Sequence, residues 1–205
     1  MFTLLMSVCI VQAQYAGYKE MTDASDFKTK FAAASQKITT IKSDFVQEKE
    51  LSLLSEKIIS KGKFWFKREN AVRMEYTQPF QYLVIINGSK IYTKDSQKEN
   101  KISAKSNKLF EQINKIMMDC VNGSALTSAD FTARFFEGTD TYLAELTPVN
   151  KNLKNLFKNI NLIVSKKDYS VSKIEMHEPS GDNTTINYIN REMNVSLPDA
   201  LFAIN

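Results

Sequence analysis

The chain has 205 residues, 43% of them hydrophobic and 24% charged, with only 6 glycines and 4 prolines, which excludes disordered and collagen-like classes. Its net charge of +4 comes from scattered lysines, with no basic tract and no arginines interleaved with stacking rings, which argues against nucleic-acid binding.

Residues 1–13, MFTLLMSVCIVQA, are apolar and uncharged. They are long enough for the apolar stretch of a secretory signal and too short to span a bilayer, although basic residues before that stretch are missing. Val11-Gln12-Ala13 fits a small-residue cleavage site, so the mature chain is expected to begin at Gln14. Met6-Ser7-Val8 lacks the small residue that a lipoprotein signal needs before its cysteine, so Cys9 is not read as a lipidation site. Cys120 is then the sole cysteine, which leaves neither an intramolecular disulfide nor a zinc framework.

Ser25 or Asp26 is expected to cap a helix whose stripe runs Phe27, Phe31, Ala34, Ile38 and Ile41. The period changes to two from Ser43, where Phe45, Gln47, Lys49, Leu51 and Leu53 alternate with polar neighbours. Strands are predicted at about 43–53, 57–68, 71–77, 81–87 and 90–95. Their links are short, Asn87-Gly88 being the strongest hairpin signal, and links this tight make antiparallel neighbours. After a polar, lysine-rich stretch at 95–108, a second helical stripe runs Leu109, Ile113, Ile116, Met117, Cys120 and Val121, ended by Asn122-Gly123. Five more strands are predicted near 132–137, 141–147, 159–165, 171–178 and 183–191. No repeat and no low-complexity linker interrupts 14–205, which reads as a single domain.

About ten antiparallel strands in one sheet must curl. The expected fold is mainly β with helices (α+β): a strongly curved antiparallel sheet forming an incomplete barrel of ten to eleven strands, covered by a lid of two to three helices. In GKFWFKRENAVRMEY, residues 62–76, Phe64 and Phe66 project to one face while Trp65 projects to the other between Lys63 and Lys67. YLVII at 82–86 is likewise apolar on both sides, whereas an antiparallel sheet usually keeps one face wet.

The chain offers little for catalysis. His177 is the single histidine, with no second histidine or nearby cysteine for zinc, and no Gly-x-Ser-x-Gly elbow is present. There is no phosphate-cradling glycine loop or dinucleotide fingerprint. Glu48 and Glu50 share a strand face and read as a charged solvent face rather than a glycosidase pair. Cys120 and the Met117-Met118 pair read first as core. The expectation is a protein that is not an enzyme and uses no cofactor or metal.

Taken in order, Phe45-x-Gln47, Gly62-x-Phe64-Trp65-x-Lys67-Arg68-x-Asn70, Tyr76-Thr77-Gln78-Pro79, Asn87-Gly88, Ile91-Tyr92, Leu146-Thr147-Pro148, INLIVSKKD and Leu197-Pro198-Asp199-Ala200-Leu201-Phe202 resemble the outer-membrane lipoprotein carrier (LolA-type) family. The resemblance covers most of 24–202. It implies a periplasmic, monomeric chaperone whose cavity takes up lipoprotein acyl chains. Loading would come from an ATP-driven inner-membrane exporter, with delivery to an outer-membrane acceptor. Arg68 falls on the family arginine that binds lid-helix backbone and latches the empty cavity; Glu69 stands where the family usually has proline, and Met74 where close relatives often have tryptophan. Candidates for the cavity wall are Phe45, Phe64, Phe66, Met74, Tyr76, Leu83, Ile85, Ile113 and Met117. Lys63 and Lys67 would snorkel outside, beside Trp65. The alternative is a lipid-responsive regulatory sensor on the same fold, and a hydrolase assembled around His177 is a third reading.

Overall fold

The computed structural model describes residues 15–68, 70–103, 116, 118, 119 and 124–204. The apolar residues 1–13, expected to be a secretory signal, and Glu69, Ile113, Met117 and Cys120, all of which figure in the sequence reading, lie outside the described residues.

The chain builds β1 (Lys19–Glu20), α1 (Ser25–Lys37), β2 (Thr40–Leu51), β3 (Glu56–Lys67), β4 (Ala71–Gln78), β5 (Tyr82–Asn87), β6 (Lys90–Lys94) and β7 (Glu99–Ser103). Then come β8 (Phe131–Glu137), β9 (Thr141–Pro148), the short α2 (Lys151–Lys154), β10 (Asn159–Ser165), β11 (Val171–His177) and β12 (Asn183–Met193). Single 3-10 turns lie at Ser124–Thr127 and Asp199–Phe202.

The strands form one curved antiparallel sheet in the order β1-β8-β9-β10-β11-β12-β2-β3-β4-β5-β6-β7, open between β1 and β7. Twelve strands among the described residues exceed the ten to eleven expected. The two unforeseen ones are the edges: β1 is two residues long, and β7 lies in the polar, lysine-rich stretch for which no strand was predicted. Edge strands of this kind owe their pairing to a neighbour's hydrogen bonds and carry no hydrophobic alternation of their own.

Helix α1 starts at Ser25 behind Ala24, which supplies no side-chain cap; instead Asp23 Oδ1 accepts the Ser25 amide at 2.8 Å. Hydrogen bonds from the Ser25 side chain and from its amide hold the Asp23 carboxyl below its ordinary range. The helix ends sooner than its stripe suggested, because Ile38 is extended and Ile41 belongs to β2. The run Ile38-Thr39-Thr40-Ile41 is wholly β-branched, and such residues lose side-chain freedom in a helix but fit a pleated strand. Residues 116, 118 and 119, from the second predicted stripe, are helical.

Register sorts the side chains of the β2–β6 half into two sets. Phe45, Gly62, Tyr76 and Tyr82 lie opposite one another in one row. Ser43, Phe64, Met74 and Val84 form a second row, and Ile41, Phe66, Val72, Ile86 and Ile91 a third. The apolar residues of these rows, Tyr82 apart, make one core region with Ile38, Met118 and Ile186. The other region sets Phe27 and Phe31 of α1 against Phe135, Ala144, Leu146, Ile160, Leu162 and Ile174, with Ile116 alongside. Helix α1 therefore covers this inner face of the sheet.

The opposite face is covered too. Its central row is Lys42, Trp65, Arg73, Ile85 and Tyr92. Over it lies the segment Val195–Phe202, whose Leu197 and Phe202 pack with Ala71 and Trp65. Polar ties hold that segment: Arg73 Nη1 donates to the Leu201 carbonyl at 3.3 Å, Asn87 Nδ2 to the Phe202 carbonyl at 3.0 Å, and Lys67 pairs with Asp199. The Arg73 guanidinium lies 5.7 Å from the Trp65 ring centre. Trp65 thus packs under a segment from far downstream in the chain, and not simply between snorkelling lysines. On the β8–β10 half, Tyr15 does similar work: its hydroxyl donates to Glu145 at 2.5 Å and to the fully buried Asn161 at 3.2 Å. Burial and the Glu145 carboxylate push the Tyr15 phenol up to about 12.

Candidate functional site

The candidate site lies on the inner face, where the second half of α1 meets β2, β3, β11 and β12. Phe31, Ser35 and Ile38 form its roof; Ile41, Phe64, Ile174, Tyr188 and Met193 its floor; Tyr169, Ser170, Val171 and Arg191 its rim. Apolar side chains dominate, as in most small-molecule pockets. Its cavity volume is about 20 Å³, enough for about one water. With α1 in this position no acyl chain fits. The roof has to move for one to enter.

Arg68 holds that roof at its C-terminal end. Its Nε donates to the Ile38 carbonyl at 3.0 Å; its Nη2 reaches the carbonyls of Ser35 at 2.7 Å, Gln36 at 3.1 Å and Ile38 at 2.7 Å. The last carbonyls of a helix have no intrahelical donor and carry its negative dipole end, so a planar cation with five donors suits them. Strand β3 delivers the side chain to this spot: Phe66 is anchored in the core two residues earlier, and the Arg68 amide bonds the Thr39 carbonyl at 2.8 Å. The residue as a whole is solvent-exposed, with its bond to Gln36 exposed and those to Ser35 and Ile38 part-buried.

Five cavity candidates come together: Phe45, Phe64, Phe66 and Met74 in one core region, with Tyr76 packed against it. Phe45 and Tyr76 meet edge-to-face at 5.0 Å, and the Tyr76 hydroxyl donates to Gln47 at 3.0 Å. Burial pushes the Tyr76 phenol up to about 12. Of the five, only Phe64 reaches the pocket itself; the others pack deeper along the strands. Leu83 and Ile85 do not belong with them. They pair with Glu75 and Arg73 and lie on the outer face, because the strand Tyr82–Asn87 is apolar on both sides and periodicity alone does not tell its faces apart.

Sequence reasoning missed Tyr169, Val171, Tyr188, Met193 and Arg191. Tyr188 continues the inward set of Thr184 and Ile186 on β12 and was within reach of simple alternation. Arg191 lies within an irregularity between Ile189 and Glu192, where Asn190 takes a φ of +53°, and Met193 lies beyond it; such a bulge resets which residues face inward.

The other polar residues singled out earlier sit elsewhere. His177 faces Asn183 Oδ1 at 2.6 Å through Nδ1 and Asn161 at 3.4 Å through Nε2. Glu48 and Glu50 both pair with Lys57 Nζ, at 2.6 and 2.7 Å. No helix among the described residues is long and apolar enough to cross a membrane.

Solved structures similar to the chain include an uncharacterized conserved protein from Thermus thermophilus, at 8% identity and TM-score 0.52, covering 88% of this chain and 93% of that one. A structure of MucB matches at 13% identity and TM-score 0.51 over 90% of this chain and 64% of its own. A LolA superfamily protein from Nitrosomonas europaea matches at 13% identity and TM-score 0.46 over 90% of this chain and 99% of its own. At these identities the likeness is one of fold. No curated protein matches the chain by sequence. The family profile described as outer membrane lipoprotein carrier protein LolA matches residues 36–205, most of the length, and the chain belongs to that family.

Proposed function

We propose that this protein is a periplasmic, monomeric carrier that shields lipoprotein acyl chains between the inner and outer membranes. An ATP-driven exporter would load it and an outer-membrane acceptor would unload it. One observation carries the reading: the apolar pocket is roofed by a helix whose end is fastened by an exposed arginine. Burying an acyl chain is worth about 0.8 kcal/mol per methylene, so a chain of a dozen carbons gains on the order of 10 kcal/mol by leaving water. Charged hydrogen bonds contribute about 1.5–3 kcal/mol each when shielded and less where water competes. The ligand's gain therefore exceeds the cost of releasing Arg68, and a lipid can select the open state. Direction would come from the partners, through successively tighter binding, without a nucleotide or metal in this chain.

Depleting the protein in its native host tests the role. Lipoproteins accumulating in the inner membrane are the expected result. Correct lipoprotein sorting, combined with failure of the purified protein to bind a triacylated lipopeptide, would falsify the reading.

A further inference from the structure

Among the described residues a single charged side chain lines the pocket, and it is a cation. Arg191 enters from the bulge of β12 and turns toward the start of β11. Its Nη1 donates to the Val171 carbonyl at 2.9 Å and to the Ser170 hydroxyl. Ser170 is buried and donates in turn to Asp168 Oδ1 at 2.7 Å. Asp168 stands behind that hydroxyl and outside the pocket lining, and Arg191 forms no ion pair among the described residues. Burial works against the Asp168 charge, yet hydrogen bonds from Ser170 and the Arg191 charge hold its carboxyl below the ordinary range. One end of the guanidinium is thus pinned. Its Nε and Nη2 have no partner among the described residues, and that edge presents parallel N–H groups at the spacing of the two oxygens of a carboxylate or phosphate.

We propose that Arg191 is a head-group receptor, so that the pocket prefers amphiphiles whose acyl chain ends in an anionic oxyacid, with the tail under α1 and the head on the Nε–Nη2 edge. The inference rests on the same pocket and movable roof as the carrier reading and goes beyond it, to a second class of ligand. The anchor of a triacylated lipoprotein is joined by thioether, ester and amide bonds and has no ionised group of its own, so it does not use this edge. A fatty-acid carboxylate or the phosphate of a diacyl lipid does. Tyr169 and Arg191 at the rim are partly exposed, which lets the head remain hydrated while the apolar floor takes the tail.

The test is displacement of a neutral hydrophobic dye from the delipidated protein. The competitors are palmitate, hexadecanol, dipalmitoyl phosphatidic acid, dipalmitoylglycerol, a triacylated lipopeptide, acetate and inorganic phosphate. Palmitate and phosphatidic acid are each expected to bind about tenfold more tightly than their neutral counterparts, the yield of one good charged pair. Acetate and phosphate alone are expected to displace nothing, since they lack a tail. In Arg191→Gln the acid-to-neutral ratio is expected to fall to about one while hexadecanol still binds, which also shows that the variant is folded. Equal affinity for acid and alcohol in the wild-type protein overturns the head-group assignment and leaves the carrier reading standing. An unchanged ratio in Arg191→Gln, or displacement by phosphate or acetate alone, also overturns it. Failure of every lipid to displace the dye, the lipopeptide included, overturns both readings. The wild-type comparison decides the matter even if the variant does not fold.

Discussion

Gly62 shows how tightly the inner face is set. A β-carbon there would lie 2.2 Å from the Glu75 carbonyl oxygen and 2.7 Å from the Phe45 ring, so neither β4 nor β2 could keep its place. Gly62→Ala is expected to cost about 1–3 kcal/mol in urea unfolding, as overpacking does, and a loss within experimental error would mean the ring and strand can give way. Arg68 should behave in the opposite manner, with a small effect on stability and a large one on access. Arg68→Gln is expected to lose about 1–2 kcal/mol, since the residue is exposed and its bonds only part-buried, while dye uptake accelerates several-fold. Uptake at the wild-type rate would remove Arg68 as the fastening of α1. Tyr15 and Tyr76 report on burial through pH. Each phenol is pushed from its ordinary value of 10 up to about 12. The folded protein holds these protons longer than the unfolded chain, so a tyrosinate is disfavoured in the fold: stability is unaffected below about pH 10 and falls as pH rises from there toward 12. In a spectrophotometric titration, Tyr76→Phe should delete tyrosinate absorbance that appears late, near 12; loss of absorbance near 10 instead would place that ring in water.

At the scale of elements, alternation and turn residues made most strands legible. Helix α1 was legible from Phe27 and Phe31, but its end was overrun because Ile38 and Ile41 fit both a helical stripe and an inward-facing strand. Periodicity sorts a strand's residues into two sets without telling which set meets the core. That is why Leu83 and Ile85 were grouped with Phe64, and why Trp65 had no evident partner. The cover for Trp65 is the Val195–Phe202 segment, a contact that no local pattern encodes even though the Leu197–Phe202 stretch belongs to the family resemblance. Removing its largest anchor tests that role. Phe202 is 2% exposed, and Phe202→Ala is expected to cost about 3–5 kcal/mol and to shift Trp65 fluorescence toward that of a solvated indole. Leu53, at the β2–β3 turn, is 93% exposed, so Leu53→Ser should stay within about 0.5 kcal/mol of wild type. Unchanged Trp65 emission in the Phe202 variant would mean that the segment does not shield the ring.

For the whole molecule, the open curved sheet follows from tight antiparallel links and from the number of strands. The state of the interior does not. Composition and periodicity give apolar residues on an inner face but no measure of how closely they pack, and the pocket proves nearly filled with α1 in place. On the proposed function, carrying an acyl chain would be a matter of two positions of one helix, in which apolar contacts between α1 and the sheet give way to contacts with the lipid. Spin labels at Lys30, on the exposed side of α1, and at Lys61, on the outer side of β3, report that change directly, with the native cysteines replaced. Pulsed electron spin resonance is expected to show one short distance in the delipidated protein and a longer one when a triacylated lipopeptide is bound. The same short distance with the lipopeptide demonstrably bound would contradict the account.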